Sequence, residues 1–218
     1  MKTTANLIRV DPVQPVIETI LRAAHVIRSG GVVVLPTTGL YGLAADALQP
    51  QAVDRLFRLK GRDSSKPILV LIASADMLSQ VSGPVSALAK AMMAHFWPGR
   101  VTFIVPARNG LPPGLTADSG KIGVRQVAHP VAQALVRAVG TPLTGTSANL
   151  SGAGGCASIE AIDAAVIDAV DLVLDSGPLA GGVGSTVVDM TGPIPIVLRE
   201  GAVSAAKILD VFNLLNRA

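Results

Sequence analysis

Short apolar runs alternate with amphipathic segments along the chain, and that alternation limits the fold more than any other feature. Asn6–Val10 reads as a strand and Val16–Ser29 as a helix, with Val16, Ile17, Ile20, Leu21, Ala24 and Ile27 at helical spacing and Gly30-Gly31 ending it. Val32–Leu35 is a buried-strand run stopped by Pro36. Gln51–Lys60 is helical, Ile68–Ala73 a strand, and Ser86–Phe96 a helix halted by Pro98-Gly99. Val101–Val105, Ile122–Arg125 and Leu143–Thr146 read as strands, with a helix over Val131–Val139. After a helix at Ile159–Ile167 come strands at Leu172–Leu174, Thr186–Asp189 and Pro195–Leu198. Ser204 is a side-chain cap for a last helix to about Asn216. The pattern predicts one α/β domain over 1–218, with helices flanking a largely buried sheet. The last three strands leave little room for crossover helices, so parallel and antiparallel pairs are mixed.

Composition removes several classes of function. Half the residues are hydrophobic and 15% are charged, which argues against disorder. No apolar run reaches the roughly 18 residues of a membrane span. Met1–Val10 lacks the pattern of a signal peptide, so a cytoplasmic protein is expected. The one cysteine, Cys156, excludes an internal disulfide and a multi-cysteine zinc site. The histidines, His25, His95 and His129, are dispersed. His129, before Pro130, reads as the start of a helix rather than as a base. A net charge of +3 permits an electropositive groove without requiring nucleic acid, and six aromatics are few for base stacking.

Two distant motifs carry the chemistry. Lys60-Gly61-Arg62-Asp63-Ser64-Ser65-Lys66-Pro67 places Lys60, Arg62 and Lys66 around the end of a helix. Thr146-Ser147-Ala148-Asn149 sets a hydroxyl and an amide two residues apart after a strand. Cations with hydroxyl and amide donors suit a polyphosphate, neutralising its charge and fixing its orientation. No Walker A loop, dinucleotide fingerprint or nucleophile elbow is present. Arg55 and Arg58 read as a solvated helix face, and the Gly-rich stretches 151–155 and 177–184 as loops. Pro36–Leu43 is a third strand exit rich in small and polar residues, and ligands in open α/β sheets sit beyond such exits.

Seven segments follow one another: Pro36-Thr37…Tyr41-Gly42-Leu43, Lys60-Gly61-Arg62…Lys66-Pro67, Trp97-Pro98-Gly99…Val101-Thr102, Ile122-Gly123-Val124-Arg125, Thr146 to Gly152, Ser185 to Asp189 and Leu198 to Ala202. In this order the chain resembles the YrdC-like family of threonylcarbamoyl-AMP synthases, in its short single-domain form. The resemblance implies a twisted mixed sheet with a concave basic cavity. It implies a nucleotidyltransferase that converts ATP, L-threonine and bicarbonate to threonylcarbamoyl-AMP and pyrophosphate, with Mg²⁺ accompanying ATP. A downstream tRNA threonylcarbamoyl transferase then modifies adenosine 37 of tRNA. By motif, Lys60, Arg62, Ser147 and Asn149 are the expected catalytic group. Lys60, Arg62, Lys66, Lys121, Asn149 and Arg199 would hold ATP, and Gly39, Tyr41, Arg125, Ser147 and Ser185 would hold threonine.

The family's first motif usually reads Pro-Thr-acidic-Thr, whereas Thr38 and Gly39 stand at its last two positions here, and Leu71 stands where some members have histidine. A lost hydroxyl contact shifts amino-acid preference. Two other readings stay open: a non-catalytic protein binding double-stranded RNA or tRNA, and a carbamoyl-adenylate-forming relative with another acceptor.

Overall fold

Successive side chains of the second strand enter opposite layers. Val32 and Val34 belong to one buried cluster, Val33 and Leu35 to another. This period-two pattern, apolar on both sides, is that of a strand covered on both faces. The computed structural model describes residues 7–217, and Asn6, at the start of the first expected strand, lies outside them. Ten strands follow in chain order: β1 Leu7–Arg9, β2 Val33–Pro36, β3 Tyr41–Ala44, β4 Leu69–Ile72, β5 Val101–Pro106, β6 Lys121–Gln126, β7 Leu143–Ser147, β8 Leu172–Asp175, β9 Thr186–Asp189 and β10 Ile196–Arg199. The helices are α1 Ile17–Arg28, α2 Pro50–Lys60, α3 Ala87–Phe96, α4 Pro113–Thr116, α5 Pro130–Val139, α6 Ala164–Ala169 and α7 Ala205–Leu215.

The strands form one mixed sheet in the order β1-β8-β2-β3-β7-β4-β6-β5-β9-β10. β1–β8, β8–β2, β4–β6 and β5–β9 pair in parallel and the other neighbours antiparallel. On one face, Ile20, Ala23, Ala24 and Ile27 of α1 and Val131, Leu135 and Val136 of α5 cover Val33, Leu35, Leu71, Leu143, Leu172 and Leu174. On the other, α2, α3 and α7 pack on Val34, Val70, Phe103, Val124 and Val188. Each fully buried side chain of this size contributes about 1.5–3 kcal/mol.

Several helix ends follow local chemistry. The Ser86 and Ser204 hydroxyls accept from the amides of Ala89 and Lys207, and His129 Nδ1 accepts from Val131 N. At the end of α2, Gly61 takes the left-handed conformation (φ 57°), open to glycine at little cost, and turns the chain toward Arg62. Arg55 is not simply solvated as its helical position suggested. Its guanidinium forks onto Asp171 at 2.6 and 3.1 Å, tying α2 to the segment before β8.

Candidate active site

The α1–α5 layer stops part-way across the sheet, and the uncovered strands beyond it form the floor of a cavity of about 430 Å³. Register puts the floor residues on one face. Gly42 pairs with Ser147, Gly145 with Leu69, Leu71 with Arg125, Ile104 with Gly123, Thr102 with Val187, and Val187 with Arg199. Gly145 keeps the floor low: a Cβ there would lie 2.6 Å from Leu69 Cδ1 and 2.7 Å from Leu71 Cδ2.

Among the described residues, four arginines line the cavity, Arg62, Arg100, Arg125 and Arg199, and no Asp, Glu or His does. Arg125 rises from the penultimate position of β6 with a buried Nε that has no hydrogen-bond partner. Burial, and then the charges of Arg100 and Arg199, push its pKa down to about 10. A guanidinium so placed among other cations calls for an anionic ligand with acceptor oxygens. Arg199 donates to Ser185 O at 2.8 Å, and the Ser185 and Thr102 hydroxyls are 2.8 Å apart. Arg62 donates to Lys66 O at 2.8 Å and Pro67 O at 3.0 Å, which orients its guanidinium at the mouth.

Lys60 has a different place from the one its motif suggested. It is 2% exposed and does not line the cavity. Its Nζ donates to Ser147 O at 2.6 Å, Asn149 O at 2.5 Å and Asn149 Oδ1 at 3.0 Å. Ser147 Oγ donates to the same Oδ1 at 2.5 Å, while Asn149 Nδ2 donates to the carbonyls of Ala153 and Gly154. Lys60 therefore fastens the end of α2 to the turn after β7 and positions Ser147 and Asn149, which do line the cavity. Burial, then the nearby Arg62 charge, push its pKa down to about 8, while the three oxygens around Nζ favour the ammonium.

Other expected site residues divide similarly. Gly39, Ser185 and Arg199 line the cavity. Tyr41 borders it through its backbone strand, but its side chain is fully buried in the opposite layer, where Oη donates to Gly177 O at 2.7 Å. A phenol so engaged anchors the glycine-rich segment and does not face a ligand. Lys66 is exposed and lies off the cavity lining. Lys121 shares the floor face but stands beyond the cavity, with Nζ 2.8 Å from Asp189 Oδ2. Sequence reasoning missed Arg100 and Thr102, because attention to strand exits passes over residues that enter a strand. A cation directly before the apolar run Val101–Val105 was the available signal.

Comparison with known proteins bears on this geometry. The Sua5/YciO/YrdC family, described as "Telomere recombination", matches residues 25–201. The chain belongs to this family. A Bacillus subtilis member named threonylcarbamoyl-AMP synthase is 37% identical over 195 residues, covering 89% of this chain and 56% of its own length. The crystal structure of P. abyssi Sua5 complexed with L-threonine superposes with a TM-score of 0.89 at 32% identity, covering 94% of this chain and 60% of that one. E. coli YciO superposes at 0.82 with 30% identity, covering 91% of this chain and 96% of its own. The chain thus spans little more than half the length of the Bacillus and P. abyssi relatives. Among the described residues no helix is long and apolar enough to cross a membrane.

Proposed function

We propose that the chain is a threonylcarbamoyl-AMP synthase, using Mg-ATP, bicarbonate and L-threonine. The observation that carries this reading is Arg125, whose buried Nε lacks a protein partner in a cavity lined, among the described residues, by four arginines and no Asp or Glu. Such a lining suits substrates that bring all the negative charge themselves. The names of the family relatives favour this reaction over a non-catalytic RNA-binding role.

The threonine ammonium first gives one proton to solvent; the freed amine nitrogen bonds to the bicarbonate carbon, and the bicarbonate hydroxyl leaves with a second amine proton as water, giving a carbamate. A carbamate oxygen then bonds to the α-phosphorus of ATP as the bond to the bridging oxygen breaks, and pyrophosphate departs with that electron pair. No nucleophile from the protein is required. Catalysis rests on positioning and on charge stabilisation as the phosphoryl oxygens reorganise. Arg62, Ser147 and Asn149 hold the phosphates, and Lys60 positions the latter two. Arg125 forks the threonine carboxylate, with Ser185, Ser147 and the backbone at Gly39 beside the amino acid. Arg199 reaches the nucleotide. No cluster of three or more His, Cys, Asp or Glu suited to a metal occurs among the described residues. Mg²⁺ would enter with ATP, held mainly by the nucleotide's own phosphate oxygens. The product passes to a tRNA threonylcarbamoyl transferase for adenosine 37, chemistry that belongs to the cytoplasm, and tRNA itself is a candidate partner.

The test is pyrophosphate release from Mg-ATP, with bicarbonate and L-threonine each omitted in turn. Release requiring both, with a product of threonylcarbamoyl-AMP mass, supports the reading. No release with any amino acid from a folded protein that binds tRNA would replace it with the RNA-binding alternative.

A further inference from the structure

Arg100 has no part in the reaction just described, yet it lines the same cavity. It enters β5 on the face shared by Thr102 and Ile104. One nitrogen, Nη2, donates to Val183 O. Among the described residues its other nitrogens meet no protein acceptor and no carboxylate. It sits against the turn at Gly39. A Cβ on Gly39 would lie 3.3 Å from Arg100 Nη2 and 2.6 Å from Gly181 O, and Gly181 N donates to Gly39 O at 2.9 Å. The missing side chain at position 39 lets both the glycine-rich segment and the guanidinium close on this end of the cavity.

The charge of Arg100 also reaches Arg125, where it helps to hold the pKa down. Two guanidiniums with unused donors then face one volume, and among the described residues no acid in the lining neutralises either. A ligand with one carboxylate fills one fork. The second guanidinium keeps its unused donors toward solvent, where a charge-assisted contact remains to be gained. A ligand with two carboxylates satisfies both.

We propose that this site also accepts a dicarboxylic amino acid, aspartate or glutamate, and that Arg100 is the specificity-determining residue binding its side-chain carboxylate. The inference rests on the adenylate-forming reading. The bonds made and broken are the same: the α-amine forms the carbamate, and the side-chain carboxylate is held without reacting.

The experiment compares each acid with its amide of equal shape, aspartate with asparagine and glutamate with glutamine. Bicarbonate-dependent pyrophosphate release is measured for the wild type, Arg100→Gln and Arg100→Lys. A hydrogen-bonded charge contact predicts an acid-over-amide preference in kcat/KM of about tenfold to a hundredfold for at least one pair. Arg100→Gln should collapse that preference through KM for the amino acid, and Arg100→Lys should restore part of it. No such preference in the wild type overturns the proposal, as does a preference that survives in Arg100→Gln. An Arg100→Gln effect confined to KM for ATP also overturns it, moving the residue to the nucleotide. If no amino acid, threonine included, supports turnover, the synthase reading fails. Calorimetric titration with glutamate, glutamine, aspartate and asparagine then decides the role of Arg100. Acid-selective binding lost in Arg100→Gln upholds it, and binding without acid selectivity overturns it.

Discussion

Lys60→Met asks whether a buried ammonium works as a tie within the fold or as a contact to a ligand. Methionine keeps most of the stem and removes the ammonium donor from the three oxygens that surround Nζ. Asn149 O is left without a donor, at about 1–3 kcal/mol, while Ser147 O and Asn149 Oδ1 keep Asn149 N and Ser147 Oγ but each lose a charged hydrogen bond of about 1.5–3 kcal/mol. Against that, the ammonium is costly to bury. The shift from 10.5 to about 8 corresponds to about 3 kcal/mol at neutral pH, and the variant no longer bears it. The net expected loss is about 3 kcal/mol, or about 6–12 °C in Tm for a chain of this length. The pH dependence supplies a second reading. Between about 8 and 10.5 the unfolded chain binds more protons at Lys60 than the folded one, so wild-type stability gains from this residue as pH rises through that window. Below about 8 the gain is absent. Lys60→Met lacks this term, so the gap between the two proteins should widen as pH rises. Guanidinium chloride unfolding of both proteins at about pH 7.5 and about pH 9.5 measures it. Equal midpoints, or curves that stay parallel between the two pH values, would refute the reasoning. A variant of unchanged stability with a raised KM for ATP would make Lys60 a ligand contact.

Two further substitutions separate roles within and beside the cavity. Arg125→Ala should raise the amino-acid KM by about tenfold or more with a smaller change for ATP, and steady-state titration of each substrate checks this. Lys121→Ala removes a partly exposed ion pair with Asp189 and should cost less than about 1 kcal/mol in denaturant unfolding, with no change in KM for ATP.

The elements that were legible were those whose signals are local. The helices that became α1, α2, α3, α5 and α7 lie within a residue or two of their expected spans, because amphipathic spacing, Ser86, Ser204 and Gly61 mark them. β3 was not legible. Tyr41–Ala44 sits in a stretch with Gly39 and Gly42 that looks like a loop, and it is a strand because β2 and β7 flank it on both edges. α6 begins at Ala164 instead of Ile159, because Asp163 caps it by accepting from Ala165 N at 2.7 Å. Within the cavity, Arg62 and the Ser147/Asn149 pair were visible as motifs. The burial of Lys60 was not, since two of its three acceptors are backbone carbonyls with no signature of their own. Lys121 looked available for a phosphate, and the acid that holds it lies 68 residues away.

β7 lies between β3 and β4, which precede it in the chain, and pairs antiparallel with both. During synthesis, the facing edges of β3 and β4 therefore wait for a strand made about a hundred residues after the first of them. Ser147 and Asn149 arrive with that strand, so the gap in the sheet and this wall of the cavity are filled together, and Ser185 and Arg199 follow with β9 and β10. A ligand that spans this seam draws together the two parts of the chain, and its binding energy adds directly to the cohesion of the whole sheet.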